Sequence, residues 1–235
     1  SWPGLPGFCR EVGEACRWQG GSSHRLDHSL GDRCRQSAPG DVGGGDLRAL
    51  DAATRINEET RIAMLLVLLT ACRKAEVIEA RWDELDLEAA RWEIPAARMK
   101  AKRPHWIPLS GQAVELLTRL RKIVPAGREH LFPNRLDPRR PMANRSLNAL
   151  MERLGFGGEG TPHGMRAAFS THFNSLGASV DVIEHCLAHV PANAVRAAYN
   201  RHAYQDERRA LLQAWADHLD CAREGRLAPP LRQVA

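Results

Sequence analysis

The chain has 235 residues, of which 43% are hydrophobic, and a formal net charge of +5. This length and composition allow a packed core of one or two domains, so a wholly disordered chain is excluded. The longest strongly apolar run, residues 64–69, is too short to cross a bilayer, and the first residues lack the order of a signal peptide. We therefore expect a cytoplasmic globular protein with no membrane partner, whose six cysteines stay free thiols.

The positive charge is concentrated in one segment of the chain. Residues 98–145 carry twelve basic and three acidic side chains, whereas residues 46–97 carry seven basic and eleven acidic ones. A block this basic in an otherwise balanced chain indicates a polyanionic partner, although a solvated basic face is the simpler alternative. Trp106 and several prolines interrupt the block, so it differs from a disordered basic tail.

The first 45 residues differ from the rest of the chain in composition and in the absence of a regular apolar pattern. They hold ten of the nineteen glycines and show no sustained helical or strand period, which predicts a poorly ordered N-terminal segment. From residue 46 a helical period runs on either side of Asn57. The apolar sequence "RIAMLLVLL" predicts a central buried helix, and a third helix is expected after Arg73.

Strands and further helices follow in the middle and C-terminal parts. Alternating polar and apolar residues at 85–88, 91–95 and 105–109 predict three short strands in an antiparallel sheet. Helical periods are present at 111–124, 143–156, 161–177, 181–190, 192–200 and 206–222. In the predicted helix at 161–177, Thr161 is a candidate cap and Gly177 a candidate stop. We expect residues 46–222 to form one mainly α-helical domain with a small sheet, and residues 223–235 to be a tail.

Several polar residues are candidates for binding an anion. His163 and Arg166 lie three residues apart at a predicted helix start, where both face the same way and where free amides favour anions. An incidental surface charge is the alternative. Arg73, at the inner end of the buried helix, needs a partner, which is either Glu76 or a bound phosphate.

The remaining candidates lie in a predicted hairpin and near the C-terminus. Lys100 and Lys102 fall between the second and third strands, where they face either a groove or solvent. His189 stands at a helix end, ten residues before Tyr199. Tyr199 and Tyr204 are the only tyrosines and share one basic stretch. Most tyrosines pack through the ring, and a phenolic nucleophile acting on an anion is the alternative.

The order of these residues along the chain, together with the sequence around them, resembles that of a known protein family. The segments "RMKAKRPHWIPLS", "TPHGMRAAFSTHFN" and "LAHVPANAVRAAYN" resemble the catalytic domain of tyrosine recombinases, most closely the integrases of satellite prophages and genomic islands. The similar region covers residues 47–220. The resemblance implies a mainly α fold with a small three-stranded antiparallel sheet.

The same resemblance implies a role for each candidate. Tyr199 is the expected nucleophile, and Arg73 and Arg166 are expected to clamp the scissile phosphate. Lys100 is expected to protonate the leaving oxygen. His163 matches a histidine that handles protons, and His189 one that hydrogen-bonds the phosphate.

The implied activity is site-specific recombination of double-stranded DNA through a 3′-phosphotyrosine, without a metal or any other cofactor. The implied assembly is a homotetramer on DNA, built from subunits that are monomeric in solution and associated with a bacterial nucleoid. The basic residues predicted to contact DNA are Lys102, Arg103, Arg139, Arg140 and Arg145.

Some features depart from the family pattern. Ala188 stands where relatives usually have glycine, and Lys74 and Ala75 follow the first arginine where proline or glycine is common. Relatives carry arm-binding and core-binding domains before the catalytic one, and residues 1–45 match neither. Two alternatives therefore stay open: a type IB topoisomerase, and a non-catalytic DNA-binding remnant of a truncated integrase.

Overall fold

A computed structural model of the chain describes residues 57–153, 161–189 and 204–224. Its elements in chain order are the helices and strands α1 (Glu58–Thr70), α2 (Lys74–Ile78), β1 (Leu85–Asp86), β2 (Arg91–Ile94), β3 (His105–Pro108), α3 (Gly111–Ile123), α4 (Ser146–Arg153), α5 (Gly164–Ser175), α6 (Val180–Cys186) and α7 (Gln205–Glu224). This arrangement confirms the predicted fold class. The predicted N-terminal segment, the helix before Asn57, the helix at 192–200 and the part of the tail after Glu224 lie outside the described residues, whereas residues 223–224 of the predicted tail continue α7.

Helix α1 is the centre of the described core. Asn57 caps it, because its side chain accepts a hydrogen bond from the Glu59 amide at 2.9 Å. Every residue from Ile62 to Thr70 is buried, and α1 packs against α2, α3, α4, α5 and α7. The predicted central helix is therefore confirmed. None of the helices in the described residues is long and apolar enough to cross a membrane.

The sheet is antiparallel with the strand order β1-β2-β3. Trp92 of β2 lies opposite Leu85 and Ile107, and its ring is fully buried, whereas its neighbours Arg91 and Glu93 are exposed. This alternation follows from the two-residue repeat of a strand that has one face on the core. The predicted three strands are confirmed, and so is the position of Lys100 and Lys102 in the loop between β2 and β3.

Helix α5 begins later than the sequence predicted. Thr161 accepts a hydrogen bond from the Gly164 amide at 3.1 Å, but it does so in a turn that precedes the helix. The helix itself starts at Gly164, with His163 as the capping residue. Its predicted end is confirmed, because Gly177 has a φ of +73°, a conformation that glycine adopts without a steric cost.

Helix α7 ties distant parts of the chain together. The Trp215 indole donates a hydrogen bond to the Leu68 carbonyl of α1 at 2.8 Å. Arg208 donates to the Trp106 carbonyl of β3, and its guanidinium lies 4.9 Å from the centroid of the Trp106 ring. Arg208 is 5% exposed, so this polar contact is made inside the protein. Helix α7 therefore fastens the sheet to the central helix.

The described cysteines agree with the expected free thiols. Cys72, Cys186 and Cys221 are buried and form no disulfide. Burial raises the pKa of both Cys72 and Cys186 to about 12. These thiols stay protonated and behave as small apolar groups in the core.

Two alanines end helices in the left-handed region. Ala71 follows α1 with a φ of +51°, and Ala188 lies just beyond α6 with a φ of +50°. A side chain with a Cβ atom is strained in this conformation, whereas glycine is not. Both helix ends therefore carry a local conformational cost.

We expect Ala188→Gly to stabilise the protein or to leave it unchanged. The substitution relieves about 1 kcal/mol of left-handed strain and gives back part of this gain through the greater freedom of the unfolded chain. Urea unfolding measures the difference. Ala178→Gly, at a partly buried position with no left-handed φ, is the matched control and should destabilise the protein. Clear destabilisation by both variants would contradict the expectation.

The stability of the fold should also fall in mild acid. The rings of His172 and His218 lie 4.1 Å apart beside Trp215. Burial, and then the neighbouring His218, lower the pKa of His172 to about 4. Burial also lowers the pKa of His218. The unfolded chain binds protons below the ordinary pKa of about 6.5, and the folded chain does not, so stability is lost as the pH falls.

Replacing His172 with phenylalanine should weaken this pH dependence. Between pH 7 and pH 5 the wild type should lose about 1–2 kcal/mol more unfolding free energy than His172→Phe, because the variant has no proton to take up at that position. Urea unfolding at the two pH values measures this difference. The wild type, measured at the same two pH values, is the reference, and an equal loss of unfolding free energy in both proteins would contradict the expectation.

Candidate functional site

Arg166 lies at the meeting point of two helix ends. Its Nη1 atom donates to the Ala71 carbonyl beyond α1 at 2.5 Å, and its Nη2 atom donates to the Leu187 carbonyl beyond α6 at 2.6 Å. The last carbonyls of a helix have no partner within the helix and carry partial negative charge. The guanidinium of Arg166 donates a hydrogen bond to each of these carbonyls and carries the opposite charge. Backbone groups at two helix ends therefore hold Arg166 in position.

Arg166 makes no direct ion pair with a carboxylate among the described residues, although Glu76 and Glu184 lie near enough to favour its charged form. The side chain is 4% exposed and forms no ion pair with the residues that the structure describes. Burial lowers the pKa of Arg166, although an arginine stays protonated at neutral pH. A buried cation is costly unless an anion lies beside it. This position therefore favours an anionic ligand.

Arg73 reaches the same place from the start of α2. Its Nη1 atom lies 2.7 Å from Glu76 Oε1, and its backbone amide donates to Glu76 Oε2 at 2.8 Å. Its Nη2 atom donates to the Ala188 carbonyl at 3.5 Å. The ion pair with Glu76 that the sequence left as one alternative is thus confirmed. The Arg73 side chain remains 30% exposed, so part of the guanidinium is open to a second partner.

His189 completes the cluster. Its Nε2 atom lies 3.3 Å from Arg166 Nη2, and its Nδ1 atom lies 2.7 Å from Glu184 Oε2. A guanidinium has no acceptor, so these partners assign the ring proton to Nδ1 and leave Nε2 to accept from Arg166. The histidine side chain is 42% exposed. The structure therefore brings together Arg73, Arg166 and His189.

Glu184 was missed by the sequence analysis. It orients the His189 ring through Nδ1, and its carbonyl accepts a hydrogen bond from the His189 amide at 3.0 Å. The signal lay in the five-residue spacing at a helix end, where such a backbone bond forms as the helix closes. The carbonyls of Ala71, Leu187 and Ala188 were missed as well, because a backbone group has no sequence signature.

His163 and Lys100 are exposed and are not joined to this cluster by side-chain contacts. The His163 carbonyl accepts a bond from the Arg166 amide at 3.1 Å, which places the two residues one turn apart as predicted. Neither side chain forms a hydrogen bond or ion pair within the described ranges. Tyr199, the predicted nucleophile, lies outside the described residues.

Tyr204 has a packing role at the start of α7. Its ring meets the His185 ring edge to face with centroids 5.1 Å apart, and its hydroxyl lies 3.5 Å from Asp181 Oδ2. Both partners belong to α6, so this tyrosine fastens the start of α7 to the helix whose end holds His189. Such a role is the ordinary one for a partly buried tyrosine.

The basic segment divides into two groups. Some of its arginines are paired with glutamates from the acidic segment before it: Arg98 with Glu79 and Glu84, Arg119 with Glu58, and Arg128 with Glu59. These residues stabilise the fold. The predicted DNA contacts are exposed instead: Lys102, Arg103, Arg139, Arg140 and Arg145.

The exposed group lies in two loops and at one helix start. Lys102 and Arg103 stand in the loop between β2 and β3, and Arg139 and Arg140 stand in the loop before α4. Arg145 is the only one of the five with an ion pair among the described residues, a contact of 3.8 Å to Glu152. Its side chain is 83% exposed, so this pair contributes little.

The described part of the chain contains no group of three or more histidine, cysteine, aspartate or glutamate residues that could hold a metal ion. The guanidinium groups of Arg73 and Arg166 meet at this site, with the Glu76 carboxylate against Arg73 and the Glu184 carboxylate against His189.

The chain is similar to several integrases. It is 46% identical over 170 residues to "Prophage integrase IntA" of Escherichia coli K12, a match that covers 72% of this chain and 41% of that protein. It is 39% identical over 188 residues to the "Integrase" of Enterobacteria phage P4, covering 73% and 43% of the two chains. The chain thus spans about two fifths of the length of these relatives.

A solved structure shows the same fold. The "Integrase from mycobacterium phage Brujita" superposes with a TM-score of 0.53 at 21% identity, over 92% of this chain and 64% of that one. The family model described as "Phage integrase family" matches residues 47–206, which is more than half of the chain. With the sequence similarity to the prophage and phage proteins, this match shows that the chain belongs to the phage integrase family of tyrosine recombinases.

Proposed function

We propose that this chain carries the DNA-cleaving part of a site-specific tyrosine recombinase, which breaks and rejoins strands of double-stranded DNA during integration or excision of a mobile element. One observation supports this function above the others. Arg166 is buried, lacks a carboxylate partner among the described residues and shares its site with Arg73 and His189. That arrangement suits one phosphate of a DNA backbone.

The phosphate is bound before the chemistry begins. Arg166 is held by the ends of α1 and α6, and Arg73 is held by Glu76, so both guanidinium groups are oriented in advance. A phosphodiester repels nucleophiles because it is negatively charged. Two arginines that are already in place offset this charge without a further reorganisation cost.

The reaction itself is a transesterification. The Tyr199 hydroxyl oxygen attacks the phosphorus atom, the bond from phosphorus to the 5′ oxygen breaks, and a 3′-phosphotyrosine forms. His163 takes the proton of the tyrosine, and Lys100 gives a proton to the leaving 5′ oxygen. The phosphotyrosine bond conserves the energy of the broken strand, so a 5′ hydroxyl from another strand reseals it without ATP.

His189 changes its partner when the phosphate binds. A phosphate oxygen accepts hydrogen bonds but donates none, so the ring must present an N–H to it. Nε2 then faces the phosphate while Nδ1 keeps its bond to Glu184. Glu184 therefore keeps the His189 ring in one orientation while Nε2 changes its partner from Arg166 to the phosphate.

Recombination demands more than cleavage. Strand exchange needs two duplexes held together, for which we propose a homotetramer assembled on DNA from monomers. The relatives that match this chain are more than twice as long as the matched region.

We expect Tyr199→Phe to abolish the covalent adduct with DNA. The substitution removes only the attacking oxygen, so affinity for duplex DNA should stay at the wild-type level. The measurement is a nicked suicide substrate, on which cleavage traps the protein, followed by denaturing electrophoresis.

Tyr204→Phe is the matched control on the same substrate. It keeps the ring packed on His185 and removes the hydroxyl near Asp181, so the adduct should still form. An adduct that persists in Tyr199→Phe and disappears in Tyr204→Phe would overturn the assignment of the nucleophile. DNA binding by the wild type without any adduct would instead identify a non-catalytic remnant.

Cleavage should survive chelation of divalent metals. The arginines supply the positive charge that two metal ions provide in other phosphodiester-cleaving enzymes. The same suicide assay in excess EDTA should give an unchanged yield of adduct. Loss of the adduct in EDTA and its return with magnesium would refute the mechanism. Relaxation of supercoiled plasmid by the chain alone would favour a topoisomerase instead.

A further inference from the structure

The loop at residues 133–141, here called the arginine loop, is closed at its base. Pro133 and Pro141 form an isolated antiparallel bridge, and the Asn134 amide donates to the Arg140 carbonyl at 2.8 Å. Just outside the bridge, the Met142 amide donates to the Phe132 carbonyl at 2.7 Å. The two arms of the loop are therefore held together like the ends of a short hairpin.

The interior of the arginine loop is also bonded. The Asn134 side-chain oxygen accepts from the Leu136 amide at 2.9 Å. The Asp137 carboxylate accepts from the Arg139 amide at 3.1 Å, and the Asp137 carbonyl accepts from the Arg140 amide at 3.0 Å. Asp137, the one acidic residue of the loop, is thereby occupied with shaping it. Little conformational freedom is left to lose when a partner binds.

The loop displays one large apolar side chain. Leu136 is 96% exposed, whereas the other exposed large apolar residues in the described ranges, Ile123, Leu176 and Val180, are 48–56% exposed. A singly exposed leucine is common on protein surfaces. This one differs because it stands on a bonded loop between Arg135, Arg139 and Arg140, which are exposed and form no ion pair in the described structure.

The arginine loop is followed by residues 142–145 and then by helix α4. In α4, Asn148 accepts a hydrogen bond from the Lys74 side chain at 2.7 Å. Lys74 is the neighbour of Arg73 in the chain. The loop thus precedes a helix that is hydrogen-bonded to the chain neighbour of Arg73.

We propose that the arginine loop inserts Leu136 into a groove of the bound duplex, while Arg135, Arg139 and Arg140 bind the flanking phosphates. The inference rests on the proposed function, which supplies duplex DNA as the partner. The charge of the loop favours duplex DNA as the partner, because three arginines flank Leu136 and the carboxylate of Asp137 is hydrogen-bonded within the loop. Apolar side chains that enter a groove pack on sugars and base edges, and they bend the duplex.

The two kinds of contact respond differently to salt. An arginine that neutralises a phosphate releases counterions, so its loss flattens the slope of log affinity against log salt by at most about 0.9. A leucine releases none. Leu136→Ala should therefore weaken binding about tenfold at every salt concentration and leave the slope unchanged.

The test uses the full chain and a short fluorescein-labelled duplex, with anisotropy measured over a range of salt concentrations. Arg139→Gln should flatten the salt slope, and Leu136→Met, which keeps an apolar side chain, should bind as the wild type does. Leu176→Ala is the matched control, because it removes another exposed leucine and should leave affinity unchanged. A duplex labelled at both ends for energy transfer should bend with the wild type and less with Leu136→Ala.

Each contrary result has a separate meaning. Wild-type affinity and wild-type bending in Leu136→Ala would refute the role of the loop and leave the proposed function standing. Failure of the wild type to bind any duplex would refute the proposed function and this inference with it. A change in sedimentation of the DNA-free protein caused by Leu136→Ala would show that the leucine belongs to a protein contact, and would overturn the proposal.

Discussion

The buried guanidinium of Arg166 is the constraint on which the described structure depends. It is held by the carbonyls of Ala71 and Leu187 rather than by a carboxylate. These carbonyls belong to the ends of α1 and α6, so the arginine fixes the two helices relative to each other. Helix ends carry only partial negative charge, so within the described residues the direct contacts orient the cation without a full negative charge against it. In the function we propose, a phosphate of the DNA backbone supplies the remaining negative charge.

The packing around this residue follows from that need. Ala71 and Ala188 both turn into the left-handed region, which ends the helices and exposes the carbonyls that Arg166 and Arg73 contact. Helix α7 then secures the arrangement, because it bonds to α1 through Trp215 and to β3 through Arg208. The strained alanines and the buried charge thus lie at the same place, where the ends of α1 and α6 meet. Strain of this kind is typical of binding sites, whose side chains must be held in fixed positions.

The basic residues of the segment 98–145 fall into paired and exposed ones, a division that the count of basic residues does not reveal. Arg98, Arg119 and Arg128 lie against glutamates and join segments of the fold, whereas the arginines of the loop before α4 remain exposed. An exposed arginine can neutralise a phosphate, and a paired one is already neutralised. The unpaired exposed charge of the described residues is therefore smaller than the excess in the sequence.

The sequence by itself determined the elements of the fold and the identities of Arg73, Arg166 and His189 as a set. The period of apolar residues is a local property, so the central helix and the three strands could be predicted, and so could the Arg73–Glu76 pair at a spacing of three residues. The tertiary structure decided what holds Arg166, because Ala71 is 95 residues away in the chain and a carbonyl is the same in every residue. It also decided the coupling of Glu184 to His189 and the division of the arginines, since both depend on which helix ends and which glutamates meet in space. Local patterns specify secondary structure, but only the packing of distant segments specifies where a charge lies and whether it is already paired.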